Sequence, residues 1–200
     1  MEKINEIFKK GTLAWYDATF KICEIDEVWK PSALKAAEKA LRLEDDYKWG
    51  ERATGVPWTM LLCVHLLECC NNPRGVLHNG ELIVGTNKMT SLIPKGRGPF
   101  KTFRDSIIDA VGTQPLLHTV KPEQWSTAMI LKQCELFNGR GYLKYHSREN
   151  TPYLWSRTNI NDGTGKYVAD GKWLENAPTD GQLGVAAMLI TLNEMKKVTL

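Results

Sequence analysis

Between Pro57 and Glu68 the chain runs Pro-Trp-Thr-Met-Leu-Leu-Cys-Val-His-Leu-Leu-Glu, and nearly every residue from Trp58 to Leu67 is apolar. Met60, Leu61, Val64 and Leu67 recur at helical spacing, and Leu62 and Leu66 fill the flank. A helix that is apolar on most sides has to be buried. This one is too short and too mixed to span a bilayer. Pro57 suits its first turn, where the missing N–H costs nothing. Cys69-Cys70-Asn71-Asn72-Pro73 reads as its stop. The rest of the chain must therefore cover this rod. With 200 residues, 42% of them apolar, there is material for one ordinary core around it.

Two polar residues interrupt the rod, His65 and Glu68, three apart and so on one face. A carboxylate where a core helix opens onto a polar loop is partly desolvated, which disfavours its charged form and predicts a raised pKa. A general acid for cleaving a glycosidic bond needs such a group. The plainer alternative is a glutamate that faces solvent or caps the loop. His65 reads as a hydrogen-bonded core histidine or, less simply, a ligand. A single His-x-x-Glu without a second ligand pair is weak ground for a metal, and neither metal nor organic cofactor is implied.

The formal net charge of +3 is too mild for a nucleic-acid groove, yet would not hinder approach to an anionic polymer such as a bacterial wall. Five scattered cysteines (Cys23, Cys63, Cys69, Cys70 and Cys134) are odd in number and lack zinc-site spacing. They read as reduced thiols from a reducing compartment. The charged, amphipathic N-terminus lacks the features of a signal peptide. The expectation is synthesis in the cytoplasm without a signal peptide, no stable membrane insertion, and action elsewhere only after release.

Residues 2–30 predict one or two short helices. Pro31-Ser32 begins a clearer helix with Leu34, Ala37, Ala40 and Leu41 as its stripe, ending near Gly50 as a C-cap. After the central helix, the Asn79-Gly80 turn beside Leu82-Ile83-Val84 predicts a hairpin, with residues 90–93 as its second strand. Pro94 to Pro99 is a rigid basic turn. Residues 101–112 form a helix with Phe103, Ile107, Ile108 and Val111 inward. Asp105 and Asp109 share a face there and read as structural, Asp105 through the helix dipole. Residues 122–137 form another helix, with Trp125, Met129, Ile130 and Leu136 inside. It ends at Asn138-Gly139-Arg140-Gly141-Tyr142, where two glycines permit close backbone approach. An aromatic and polar region follows (Tyr145, Tyr153, Trp155, Asn159, Tyr167, Asp170, Trp173), suited to sugar rings, a protein interface or a small core. Residues 182–196 form the last helix. No linker or repeat appears, so residues 1–200 read as a single domain.

Taken in order, seven motifs resemble one family: Thr54 to Trp58, His65 to Glu68, His78 to Glu81, Pro94 to Arg97, Asn138 to Tyr142, Thr151 to Trp155 and Gly165 to Lys172. The chain resembles bacterial and phage proteins with a lysozyme-like fold, related to goose-type lysozymes and lytic transglycosylases. The resemblance spans residues 45–192, leaving residues 1–44 as a helical N-terminal extension packed on the catalytic domain. It implies a mainly α, α+β lysozyme-like architecture: a buried central helix with a small β-hairpin and loop region beside a cleft.

The resemblance further implies an endolysin that cuts the β-1,4 bond between N-acetylmuramic acid and N-acetylglucosamine, as muramidase or lytic transglycosylase. Glu68 would be the catalytic acid and Glu81 the first candidate for a second carboxylate, with Asp170 next. His65, His78, Asn79, Asn138, Tyr142, Tyr153, Trp155, Tyr167 and Asp170 would bind the glycan. The partner would be bacterial peptidoglycan, met after host-cell lysis, and nothing argues against a monomer. Two departures stand out: the family's Glu-Ser-Ser is Glu68-Cys69-Cys70 here, and its Asp after His-Asn-Gly is Glu81. Cysteine is a poorer donor than serine. The alternatives are a chitinase-like glycosidase on N-acetylglucosamine polymers and a non-catalytic wall-binding or structural module.

Overall fold

The computed structural model describes the chain apart from residues 147–149, 164, 170 and 180. In order, the elements are α1 (Glu2–Ile7), α2 (Leu13–Lys21), α3 (Lys30–Ala40), α4 (Glu44–Thr54), α5 (Trp58–Cys69), α6 (Phe103–Gly112), α7 (Thr127–Asn138), α8 (Gly141–Tyr145), α9 (Pro152–Trp155), β1 (Lys166–Ala169), β2 (Lys172–Leu174) and α10 (Val185–Glu194). The chain is 53% helical with one small antiparallel sheet, so it is mainly α with a minor β part. No helix among the described residues is long and apolar enough to cross a membrane.

The backbone separates into two compact units, one of residues 1–35 with 126–200, the other of residues 36–125. Neither crossing is a linker. One falls inside α3 and the other just before α7. Within the first unit α2 packs on α7, and Trp15 meets Trp155 edge-on at 6.0 Å. Ser126 caps α7 by accepting from the Met129 N–H at 3.2 Å, so that helix starts later than residue 122, after a short 3-10 turn.

In the second unit α5 is the buried rod, with every residue from Thr59 to Leu66 inside. α4 packs on both α5 and α6. Gly50 makes that approach possible: a Cβ there would lie 2.8 Å from Leu61 Cδ1 and 2.9 Å from Ile107 Cγ2. The helix therefore runs through Gly50 and is capped by Gly55, whose φ of 75° is left-handed. α6 opens with a capping box between Thr102 and Asp105, which accounts for that aspartate. Ile108, expected inward, is exposed, while Ser106 is buried.

No strand forms between residues 79 and 93. The Asn-Gly turn there closes on itself, as the Val76 N–H donates to Glu81 O and the Gly80 N–H to Val76 O, both at 3.0 Å. The hairpin lies instead at β1–β2, with Tyr167 opposite Trp173.

Candidate active site

The end of α5 is built by a network of buried polar groups. Cys70 takes a left-handed φ of 55°, and its N–H donates to Leu66 O at 2.8 Å. The next residue, Asn71, is buried and turns back, donating from Nδ2 to Leu62 O at 3.0 Å and to Tyr47 Oη at 2.9 Å. The Tyr47 hydroxyl is thereby directed to donate to His65 Nδ1 at 2.8 Å. Phe103 stacks on the imidazole with centroids 4.2 Å apart. Burial pulls the His65 pKa down to about 4, against the opposing pull of the Asn72 and Gly75 backbones. His65 is 0% exposed, so it belongs to the core and has no surface to offer a glycan.

Glu68 is the next-to-last residue of α5 and is half-buried. The His78-Asn79-Gly80-Glu81 turn docks on its backbone. A Cβ on Gly80 would fall 2.1 Å from the Glu68 carbonyl oxygen, and the φ of 74° is left-handed. Only glycine fits there, and it brings Asn79 and Glu81 to the helix end that carries Glu68. Cys69, the departure from serine, faces other partners: its thiol donates weakly to His65 O at 3.6 Å and Asn72 O at 3.8 Å. Burial pushes that thiol up to about 11, so it stays protonated.

Glu81 is a loop anchor. Its two carboxylate oxygens accept from the Ser91 N–H (2.9 and 3.0 Å), the Ser91 hydroxyl (2.6 Å), the Leu92 N–H (3.0 Å) and Asn79 Nδ2 (3.0 Å). Desolvation raises its pKa, but the Ser91, Leu92 and Asn79 donors together outweigh it and hold the carboxyl below its ordinary range. The segment expected as a second strand is therefore a loop whose amides point at a carboxylate.

His78 turns inward. Its ring stacks on Phe100 at 5.5 Å, and Nε2 lies 2.7 Å from Asp109 Oδ2. Asp109 in turn takes a fork from Arg97, through Nε at 2.8 Å and through Nη2. That hydrogen bond from Arg97 is the largest influence holding Asp109 below its ordinary range. Burial is the largest influence on His78 and lowers its pKa, against Asp109. The His78 side chain is almost wholly covered, so it too braces the loop rather than presenting itself to a glycan.

The remaining expected binding residues lie in the first unit. Trp155 is fully buried and Tyr142 nearly so, which removes both as open sugar platforms. Tyr142 instead supports a cluster: its ring meets Tyr167 at 5.6 Å and Trp173 at 5.4 Å, while His146 stacks on Trp173 at 3.6 Å. Gly141 permits this, since a Cβ would meet the Tyr167 ring at 2.7 Å. Tyr153 and Tyr167 are half-buried and Asn138 is exposed at the end of α7. Asp170 lies outside the described residues. Asn159 ties Glu24 and Ile22 together by side-chain hydrogen bonds, a structural task.

Sequence reasoning missed the Tyr47–Asn71–His65 chain, the Asp109–Arg97 fork and a buried pair in which Tyr16 donates to Glu135 at 2.5 Å. A signal for the last was present, because Ala128, Leu131 and Glu135 fall at helical spacing on one face of α7. Among the described residues no three His, Cys, Asp or Glu side chains converge as a metal would require. No family model, no curated protein and no solved structure matches the chain.

Proposed function

We propose that the chain is a peptidoglycan-cleaving glycosidase of lysozyme-like fold, with Glu68 as its general acid. The observation that carries this reading is the seating of Glu68. It lies in the last turn of a helix buried from Thr59 to Leu66, is itself half-buried, and has the His78–Glu81 turn packed on its own carbonyl through Gly80. Rigid support on both sides suits a group that must meet a glycosidic oxygen at hydrogen-bond distance. Protonated Glu68 donates its proton to the leaving oxygen as the C–O bond breaks.

The engagement of Glu81 bears on the second step. A carboxylate whose two oxygens already accept from Ser91, Leu92 and Asn79, and whose pKa is depressed, is a weak base toward water. This favours attack by the muramyl sugar's own hydroxyl, which closes an anhydro ring and returns its proton to Glu68. The glycan strand of a bacterial wall, reached after release from the cell, is the substrate in this reading.

The test is digestion of purified peptidoglycan by the wild type and by Glu68→Gln, with products weighed by mass spectrometry. Glutamine keeps the shape but has no acid proton. Release of anhydro-disaccharide peptides, one water lighter than hydrolysis products, by the wild type alone supports the reading. Equal cleavage by both proteins removes Glu68 from the mechanism, and two inert proteins favour a binding module.

A further inference from the structure

The loop that Glu81 anchors displays four large apolar side chains: Leu82 is 51% exposed, Met89 51%, Leu92 57% and Ile93 72%. The neighbouring residues show that this is a built arrangement. Ile83 points the other way, into a small core with Val76 and Phe100. Ser91 and Leu92 are held by the Glu81 carboxylate, and Asn79 Nδ2 donates to Ile93 O at 3.3 Å. Thr90 is buried, donates to Pro94 O at 2.5 Å and accepts from the Arg97 N–H at 2.9 Å. These polar contacts hold a loop whose apolar side chains are exposed.

Charge is arranged to match. From Leu82 to Arg104 there is no acidic residue, and there are five cations. Arg97 is taken by Asp109 and Arg104 by Asp46. Lys88, Lys95 and Lys101 are exposed and make no ion pair among the described residues. Of the nearby acids, Glu81 is turned toward backbone amides, Asp109 is held by Arg97 and His78, Asp46 by Arg104, and Asp105 caps Thr102.

We infer that this loop docks reversibly on an anionic lipid surface, with Leu82, Met89, Leu92 and Ile93 dipping into the interface and Lys88, Lys95 and Lys101 meeting the phosphates. Exposed apolar side chains and exposed lysines in one acid-free segment match a layer that is apolar inside and negative at its rim. A hydrated anionic polymer would use the lysines but gain nothing from four exposed apolar side chains. A second copy of the chain would set lysine against lysine. The contact is shallow and involves no spanning segment.

The experiment is co-sedimentation of the full chain with vesicles of phosphatidylcholine alone and of equal parts phosphatidylcholine and phosphatidylglycerol. These vesicles hold no glycan, so the outcome is independent of the glycosidase reading. The wild type should bind the anionic vesicles, and binding should fall about five-fold for each lysine changed to glutamine at 88, 95 and 101. Leu92→Ser with Ile93→Ser should weaken binding at least as much with the helical circular-dichroism signal unchanged. Absence of binding by the wild type overturns the proposal. So does full binding by the serine variant, which would leave charge alone, or a wild-type dimer in sedimentation that the serine variant abolishes.

Discussion

The Tyr47 hydroxyl lies 2.8 Å from His65 Nδ1, wholly inside the second unit, and the same oxygen accepts from Asn71. Removing it strands a buried acceptor, His65 Nδ1, and a buried Asn71 N–H, so Tyr47→Phe should cost at least about 2 kcal/mol, read by urea unfolding. The imidazole also sets an acid limit. Its pKa is pulled from 6.5 to about 4 by burial, so the unfolded chain takes up the proton first. The His65 contribution to stability should be flat above pH 6.5 and decline as pH falls from there toward 4. His65→Gln should flatten that window.

Gly80 is where the candidate acid and its loop meet. Gly80→Ala faces both a left-handed φ and a collision with the Glu68 carbonyl. Gly55 also has a left-handed φ, but nothing lies within 4 Å of a Cβ there. Gly55→Ala should cost about 1 kcal/mol, and Gly80→Ala clearly more, at least about 2 kcal/mol. Comparing their denaturation midpoints separates strain from collision. Wall-lytic activity should fall for Gly80→Ala alone, measured at a temperature where both proteins are folded.

Glu81 stabilises its loop as a carboxylate. Its folded pKa is depressed, so its contribution is present above the ordinary carboxylate range and lost as pH falls through it. Glu81→Gln should destabilise the loop by about 1–2 kcal/mol at neutral pH, since an amide NH2 then confronts backbone donors. The difference from wild type should close in acid. Limited proteolysis across residues 82–97, run at both pH values, would show it.

Glu135 behaves in the opposite sense. Burial raises its pKa, against the Tyr16 hydrogen bond and the charge of Lys10. A raised folded pKa contributes stability at low pH that is lost as pH rises through it. Glu135→Gln keeps an acceptor for Tyr16 without the buried charge, so its melting temperature should exceed the wild type's at neutral and alkaline pH and match it in acid. Tyr16→Phe should be costly at neutral pH, by about 3 kcal/mol, because it leaves Glu135 1% exposed and without its donor.

The buried rod was legible because an unbroken apolar run has one low-energy fate, and α5 spans Trp58–Cys69 much as its residues require. Most helices were legible for the same reason, since periodicity is local. The Asn-Gly turn was read correctly as a turn and wrongly as a hairpin, because turn chemistry says nothing about what the flanking segments will pair with. Here residues 91 and 92 gave their amides to a carboxylate instead of a strand.

By itself the sequence determined that the chain is mainly helical, that α5 is interior, and that Glu68 stands where the apolar run ends. Only the tertiary structure decided that residues 1–35 belong with 126–200, that His65, His78 and Trp155 are packed inside, and that Glu81 is an anchor. The division has a physical cause. Burial periodicity is carried by neighbours three and four residues apart. The partners of His65, His78 and Tyr16 stand 18, 31 and 119 residues away, and nothing in the local pattern specifies which polar group will meet which.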